Sequence, residues 1–367
     1  MLLTIIVFIL ILSVLVLIHE AGHYFVAKMV NIKVEEFGFG FPPRVFGKKI
    51  GETLYSINAL PIGGFVKLYG EDEAGAGRLN FKPSKFKNVS RAFFARNPWQ
   101  RALVVVAGVI MNFLLSVVIL SVLLALVGIQ IPNNKVTIHK VLTNSPAQTS
   151  GLKPGDLLIA VDNVKITSTE QVLAETQKHL GQKVDLKIQR GKSEKNIFLT
   201  PRSKYPKDEG PMGIEIEQGY EQKKYSWYQA PIEGTKQALQ TSWMIIAAFG
   251  MVINQLFTQG TVPQGVAGPV GIAQLTGQVV QVGPVAVLLL VSALSLNLAI
   301  INVLPIPALD GGRLFFILIE AIFRKRVHPK FESYAHAIGM ALLLALIALI
   351  TIHDIARVIS GQPLIPR

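Results

Sequence analysis

The chain has 367 residues, 50% of them hydrophobic and only 16% charged, which is too apolar for an ordinary soluble enzyme and suits an integral membrane protein carrying one small soluble module. Its net charge of +13 is first explained by Lys and Arg held on the cytoplasmic side of a membrane; no stacking or phosphate-reading motif accompanies it, so nucleic acid is not an expected partner. Cysteine is absent, so disulfides and thiolate ligands are excluded and any metal must be held by His and carboxylate.

An almost unbroken apolar run from Met1 to Ile18 ends in His19-Glu20-Ala21-Gly22-His23. It lacks a basic n-region and a small-residue cleavage site, so it reads as a retained first helix rather than a signal peptide. Two histidines four apart share one face of a helix and can grip one Zn²⁺, while Glu20 between them is placed to act as base on a water. The plainer reading is a helix end with two incidental histidines. An unpaired ionisable cluster at membrane depth is costly, however, and is usually functional.

The next connection carries Lys28, Lys33, Arg44, Lys48, Lys49, Lys67, Arg91, Arg96 and Arg101. Positive charge marks the inside, so this loop is expected in the cytoplasm and the N-terminus outside. Within it, Thr53–Ile57 and Gly64–Leu68 flank a Pro-Ile-Gly turn and predict a β-hairpin. The basic, aromatic stretch Phe81–Arg101 is expected against anionic headgroups, making membrane lipids a partner.

Ala102–Ile129 is a second span, leading outward. Residues 132–203 then change to short alternating runs, Val136–Leu142 and Val184–Ile188, with Ser145-Pro146-Ala147-Gln148-Thr149-Ser150-Gly151-Leu152-Lys153-Pro154-Gly155-Asp156 and Leu157–Asn163 between them. This region resembles a PDZ domain, a small α/β fold that captures an extended peptide at a sheet edge. A small sheet domain that merely spaces or shields the membrane core is the competing reading. Asn163 stands where glycine is common and tolerates a left-handed turn; His139 and His179 read as surface residues. Residues 204–283 read as a linker and an interfacial helix, since Thr241–Phe257 is short for a span and carries Asn254 and Gln255.

Residues 284–367 hold the last two spans, Pro284–Phe323 and Ala335–Ile352, around a basic loop of Arg324, Lys325, Arg326 and Lys330. Pro305 and Pro307 interrupt the first of these, and Asp310-Gly311-Gly312 follows. Freed backbone at that depth is tolerated only inside protein or beside a water-filled cavity, which makes Asp310 the candidate third ligand. The alternative is a structural kink with Asp310 capping the next turn. Glu320 is a weaker candidate, and His353 and Asp354 fall at the opposite end of the last span. His19 lies ~24 Å along the first helix from Leu3. Asp310 reaches the same depth only if the first and third spans run parallel, as four spans with residues 1–131 holding the first two allow.

The pairing of His19-Glu20-x-x-His23 with Asn302-x-x-Pro305-x-Pro307-x-Leu309-Asp310-Gly311 resembles the site-2 protease family of intramembrane zinc proteases, in its bacterial, regulator-of-sigma-E protease type with one PDZ domain. Pro61–Lys67, Asn97–Arg101 with Ala107–Asn112, and Gly268–Ile272 are further matches, in order along the chain. Val109 stands where that family commonly has proline. The resemblance implies a polytopic, mainly α-helical membrane protein of about four transmembrane helices, with a membrane-associated β-hairpin and the inserted PDZ domain. It implies a zinc metalloendopeptidase with Zn²⁺ on His19, His23 and Asp310 and Glu20 as catalytic base. It also implies that Gly64, Phe65 and Val66 pair with an unwound substrate and that Asn302 holds the substrate backbone or the oxyanion. Substrates would be single-pass membrane proteins, such as anti-sigma factors or remnant signal peptides. The N-terminus and PDZ domain would lie outside the plasma (inner) membrane, with the active site near its cytoplasmic side. Two rivals are a non-catalytic PDZ membrane adaptor, which has no need of the full set of four polar residues, and a zinc transporter, which needs polar residues through the whole membrane depth.

Overall fold

The computed structural model describes residues 2–71, 88–206, 209–260, 266–325 and 327–360. Of the sequence-based expectations, residues 81–87 of the basic stretch and Arg326 lie outside these. The chain divides into two compact units, one of Met1–Leu123 with Trp227–Arg367 and one of Leu124–Ser226.

In the first unit, α1 (Leu2–Met29) leads into β1 (Val34–Ile50) and β2 (Thr53–Leu68), then two 3₁₀ turns (Val89–Arg91 and Phe93–Ala95) and α2 (Pro98–Leu126). Among the described residues four helices are long and apolar enough to cross a membrane: α1, α2, and, further along, Pro284–Val303 and Lys330–Ile359. Most of the residues in their apolar windows are not buried within the protein. Only 6% of the last helix's most apolar window is buried, leaving Leu342, Leu344 and Leu349 in need of hydrocarbon around them. Inside, small polar groups join helices, as in the 2.6 Å hydrogen bond between the Ser116 and Ser292 hydroxyls.

The β1–β2 pairing differs from the predicted hairpin. Phe37, Gly38 and Phe39 register with Val66, Phe65 and Gly64 on one side and with Tyr55, Ser56 and Ile57 on the other. The two runs expected to pair with each other are therefore separated by a β1 segment. Pro61-Ile62-Gly63 is a bend inside β2, with Gly63 at φ +86°. Gly38 and Gly64 allow the close approach: a Cβ on Gly64 would stand 2.8 Å from the Gly38 carbonyl. Arg44–Ile50 folds back along Asn58–Thr53, and the turn at Glu52 is tied to Lys28 of α1 and to Arg91, both within 2.7 Å. The hydrogen bonds from Arg91 and then Lys28 hold the Glu52 carboxyl down at about 2.

The second unit is a sheet of order β7-β6-β4-β3-β8. It comprises β3 (Ile129–Val141), α3 (Pro146–Thr149), β4 (Leu157–Val161), β5 (Val164–Lys165), α4 (Thr169–Lys178), β6 (Val184–Arg190), β7 (Ser193–Leu199) and β8 (Ile214–Lys223). The predicted alternation is realised, since Val184, Leu186 and Ile188 are all buried against Val136, Ile138 and Leu158. Ser145 caps α3 with Pro146 in its first turn. Asp162 and Asn163 turn the chain at φ +43° and +67°. The unit is larger than residues 132–203: β8, read from sequence as linker, pairs along β3 from Val141↔Ile214 to Ile129↔Lys223. Its Glu215, Glu217 and Glu221 disguise an edge strand whose charges are solvated.

The first unit resumes with α5 (Ala230–Gln259), α6 (Pro269–Val282), α7 (Pro284–Val303), α8 (Asp310–Phe323) and α9 (Pro329–Ile359). The predicted interfacial helix is thus 30 residues long, but it is not among the four span candidates. The predicted third span is two helices, α7 and α8, broken at Leu304–Leu309. Gly268–Ile272 has a local purpose: Gly268 and Gly271 donate their N–H groups to the buried Asp354 carboxylate (2.9 and 2.7 Å), which caps α6 from α9 and pairs with Arg357. A Cβ on Gly271 would meet that carboxylate at 2.9 Å.

Candidate metal centre and its surroundings

His19 and His23 fall one turn apart on α1, and Gly22 between them lies against α2, where a Cβ would collide with the Ala107 carbonyl. Gly108, next along α2, faces both imidazoles: a Cβ there would stand 2.5 Å from His23 Nε2 and 2.8 Å from His19 Cε1. The sequence therefore brings glycines to the crossing of two helices, and the space saved holds the rings. His23 Nδ1 donates to the Val104 carbonyl (2.8 Å), which leaves the Nε2 lone pair turned inward. His19 Nδ1 lies 3.3 Å from the side-chain amide of Asn112, a residue with no exposed surface. With the amide turned so that its oxygen accepts from Nδ1, the His19 Nε2 lone pair also faces the centre.

Asp310 is delivered by the break between α7 and α8. Leu304 is extended, as a residue before proline must be, and Pro305 and Pro307 have no N–H to continue a helix. Ala308 is left-handed at φ +82°, a backbone that costs a non-glycine residue ~1–2 kcal/mol. Gly311 and Gly312 then let α8 start against the loop, since a Cβ on either would strike the carbonyls of Leu304 or Ile306.

The outcome is a cluster of three metal-ligating side chains. His19 Nε2 is 2.9 Å and His23 Nε2 3.3 Å from Asp310 Oδ2, and the two Nε2 atoms are 3.2 Å apart. Donor atoms at ~2.0–2.2 Å from a tetrahedral ion lie roughly 3.3 Å from one another, so the triangle fits Zn²⁺. Two imidazoles and one carboxylate also leave one position open, the donor set of a catalytic rather than a structural zinc site.

Glu20 sits beside the cluster, and its Oε2 accepts the backbone N–H of Val66 at 3.0 Å. Phe65 and Val66 line a cavity of about 420 Å³ with Glu20, His23, Asp310 and Arg313. Gly64 borders the Leu17 side chain one turn earlier on α1. Asn302 Nδ2 is 3.5 Å from His19 Nε2. His19, His23 and Asp310 thus form the cluster, Asn302 lies beside it, and Glu20, Phe65 and Val66 line the same cavity. Glu320, the weaker candidate, is instead paired with Arg101 at 2.7 Å, and Asp354 is taken up by α6. His139 and His179 lie on the second unit, beside Glu217 and Asp162.

Sequence reasoning assigned no role to Asn112, Gly108, Glu71, Arg313 or His336. Arg313 had a local signal, one turn after Asp310; it pairs with Glu71, whose carboxylate also accepts from Leu68 N at 3.3 Å. Asn112 stood in a motif whose purpose only the helix crossing reveals. His336 has no local signal at all.

Residues 7–346 match the family described as Peptidase family M50. A Clostridium perfringens protein is 35% identical over 349 residues, spanning 94% of this chain and 96% of its own. Zinc metalloprotease RasP of Geobacillus kaustophilus is 30% identical, over 96% of this chain and 98% of the relative. Regulator of sigma-W protease RasP of Bacillus subtilis is 29% identical over the same shares. Among solved structures, the PDZ domain of an SdrC-like protein from Listeria monocytogenes aligns with 24% of this chain and 93% of that one, at 19% identity and a TM-score of 0.21, too low to carry an argument.

Proposed function

The chain belongs to peptidase family M50, the site-2 proteases, and we propose on that premise that it is an intramembrane zinc endopeptidase acting on single-pass membrane proteins. The observation that carries the reading is the convergence of His19, His23 and Asp310, from helices 291 residues apart in sequence, on one point beside Glu20. A binding-only adaptor has no use for it.

His19, His23 and Asp310 would hold Zn²⁺, and Asn112 and the Val104 carbonyl orient the two imidazoles for it. When bound, the ion would supply Lewis acidity for a water and for the scissile carbonyl. Glu20 takes a proton from the attacking water and returns it to the leaving amine. Gly64, Phe65 and Val66 form the edge along which an unwound substrate lies, because a helical peptide bond is shielded by its own hydrogen bonds until it is extended. Asn302 presents an amide beside the cluster, to the substrate backbone or the oxyanion.

With the basic loops on the inside, the proposed topology has the N-terminus and the second unit outside the plasma membrane, the site toward the cytoplasmic side and α5 as an interfacial helix. The second unit is read as a PDZ domain, able to take an extended peptide at a sheet edge. Anti-sigma factors and remnant signal peptides are the substrate classes the family resemblance favours.

The test is cleavage of a single-pass substrate in bilayers. Glu20→Gln should remove ~10²–10⁴-fold of the rate with zinc retained, and Asp310→Ala should lose zinc as well. Full activity in the metal-loaded Glu20→Gln protein would refute the base assignment.

A further inference from the structure

We propose that His336, on α9, is a positioning residue for the metal centre: by accepting the Ala308 N–H it holds the backbone reversal that carries Asp310 to the two histidines. The proposal rests on the reading of Asp310 as third ligand. Ala308 is two residues before Asp310, and its φ of +82° lies where L-residues other than Asn, Asp and Gly are seldom found. Rotation there would swing Asp310 away from α1. Something outside the loop must therefore hold it.

The hold comes from α9. The Ala308 N–H donates to His336 Nδ1 at 2.9 Å, across 28 residues of sequence. Gly339, one turn further along α9, is buried against the same loop, and a Cβ there would stand 2.5 Å from the Pro307 carbonyl oxygen. The imidazole is braced edge-on by Phe316 of α8, with ring centroids 5.7 Å apart, and Phe316 is itself buried. The loop is thus clamped between the glycines that open α8 and the His336–Gly339 turn of α9.

The other ring nitrogen shows what the imidazole is for. His336 Nε2 is buried and has no hydrogen-bond partner among the described residues. A side chain present only to fill space would be better apolar there, because a buried unpaired N–H is a cost. What imidazole offers at this position is the Nδ1 acceptor. A helix that belongs to the last span thereby sets the geometry of a ligand on the one before it.

The experiment uses the full chain in detergent micelles with Co²⁺ as the metal probe, reading affinity by chelator competition and geometry from the visible spectrum, with kcat and KM alongside. His336→Phe keeps a ring against Phe316 but has no acceptor. It should bind cobalt ~10–100-fold more weakly, as loss of an outer hydrogen bond to a ligand set commonly does, with an altered spectrum and a fall in kcat larger than any rise in KM. His336→Asn places an amide oxygen near the Nδ1 position and should restore the wild-type spectrum. Ala308→Gly makes the left-handed backbone permissive; added to His336→Phe it should recover most of the affinity. Wild-type cobalt affinity in His336→Phe, or a loss that neither His336→Asn nor Ala308→Gly corrects, would overturn the proposal in favour of a packing role. If His336→Phe does not fold, the double variant decides: folded, cobalt-binding protein supports the proposal and unfolded protein overturns it. Asp310→Ala binding cobalt at wild-type affinity would instead refute the ligand assignment, a failure distinguishable from the others.

Discussion

The Val66 N–H donates to Glu20 Oε2 at 3.0 Å, so the edge of a β-sheet and the proposed catalytic base are joined by one hydrogen bond. Two residues on, Leu68 donates to Glu71 in the same sense. N–H groups alternate sides along a strand, and the outward-facing donors of Val66 and Leu68 are satisfied by carboxylates that line the cavity. On the proposed function, a substrate strand adding to this edge would take over the Val66 donor. That exchange would free Glu20 for its proposed role as base.

Val66→Pro removes the donor and keeps an apolar side chain at the edge. Cleavage should fall ~10-fold or more, in keeping with the loss of a hydrogen bond to a charged group, while zinc content stays at wild type. Val66→Ala keeps the donor and should stay close to wild type. Equal activity in the two variants, measured on one bilayer substrate, would remove the edge from the mechanism.

Gly108→Ala tests the helix crossing. Its Cβ would meet both imidazoles within 2.8 Å, so zinc affinity should drop ~10–100-fold. Gly250→Ala, on α5 with open space around it, is the control and should if anything stabilise its helix by ~1 kcal/mol. Zinc titration by competition with a chelator separates the two. An unchanged affinity in Gly108→Ala would mean the helices part at little cost.

Much of this was legible before the fold was known, and the reasons are specific. His19 and His23 are linked by helical periodicity, and Asp310 by the two prolines that must break a helix at membrane depth. The strand alternation of Val184–Ile188 is equally local. What escaped was non-local. Nothing in Thr53–Leu68 reveals that Glu36–Phe39 will lie between its two halves, because β1 supplies the partner on both sides. The strand Ile214–Lys223 was hidden by its charge, since an edge strand need bury few side chains. His336 acts across an interhelical gap on a residue, Ala308, whose unusual backbone no composition rule announces.

Asp354→Ala addresses the cap on α6. The carboxylate is fully buried, accepts from Gly268 and Gly271, and pairs with Arg357 at 3.0 Å. Removing it strands a buried guanidinium and two N–H groups, a loss of ~3–5 kcal/mol. Hydrogen exchange at the start of α6 should accelerate accordingly, while zinc stoichiometry is unchanged. Unaltered exchange would show that water replaces the cap.

The second unit should carry an acid-sensitive latch at Asp156. Burial pushes this carboxyl up, but the hydrogen bonds from Arg190, both at 2.7 Å, and from the Lys153 N–H outweigh it and leave the group below the usual carboxylate range. A carboxylate depressed in the folded state binds protons more readily once unfolded, so its contribution is complete above the unfolded value of ~3.9 and is lost as pH falls through the lower, folded one. Asp156→Asn keeps the shape but gives up the charge-assisted pair, at ~1.5–3 kcal/mol. At pH 6 the β4 and β6 strands of the variant should therefore exchange faster than wild type. On acidification from the unfolded value of ~3.9 toward pH 3 the gap should narrow, once intrinsic exchange rates are corrected for. A gap that stays constant down to that pH would mean that packing around Asp156, rather than its charge, holds β4 to β6.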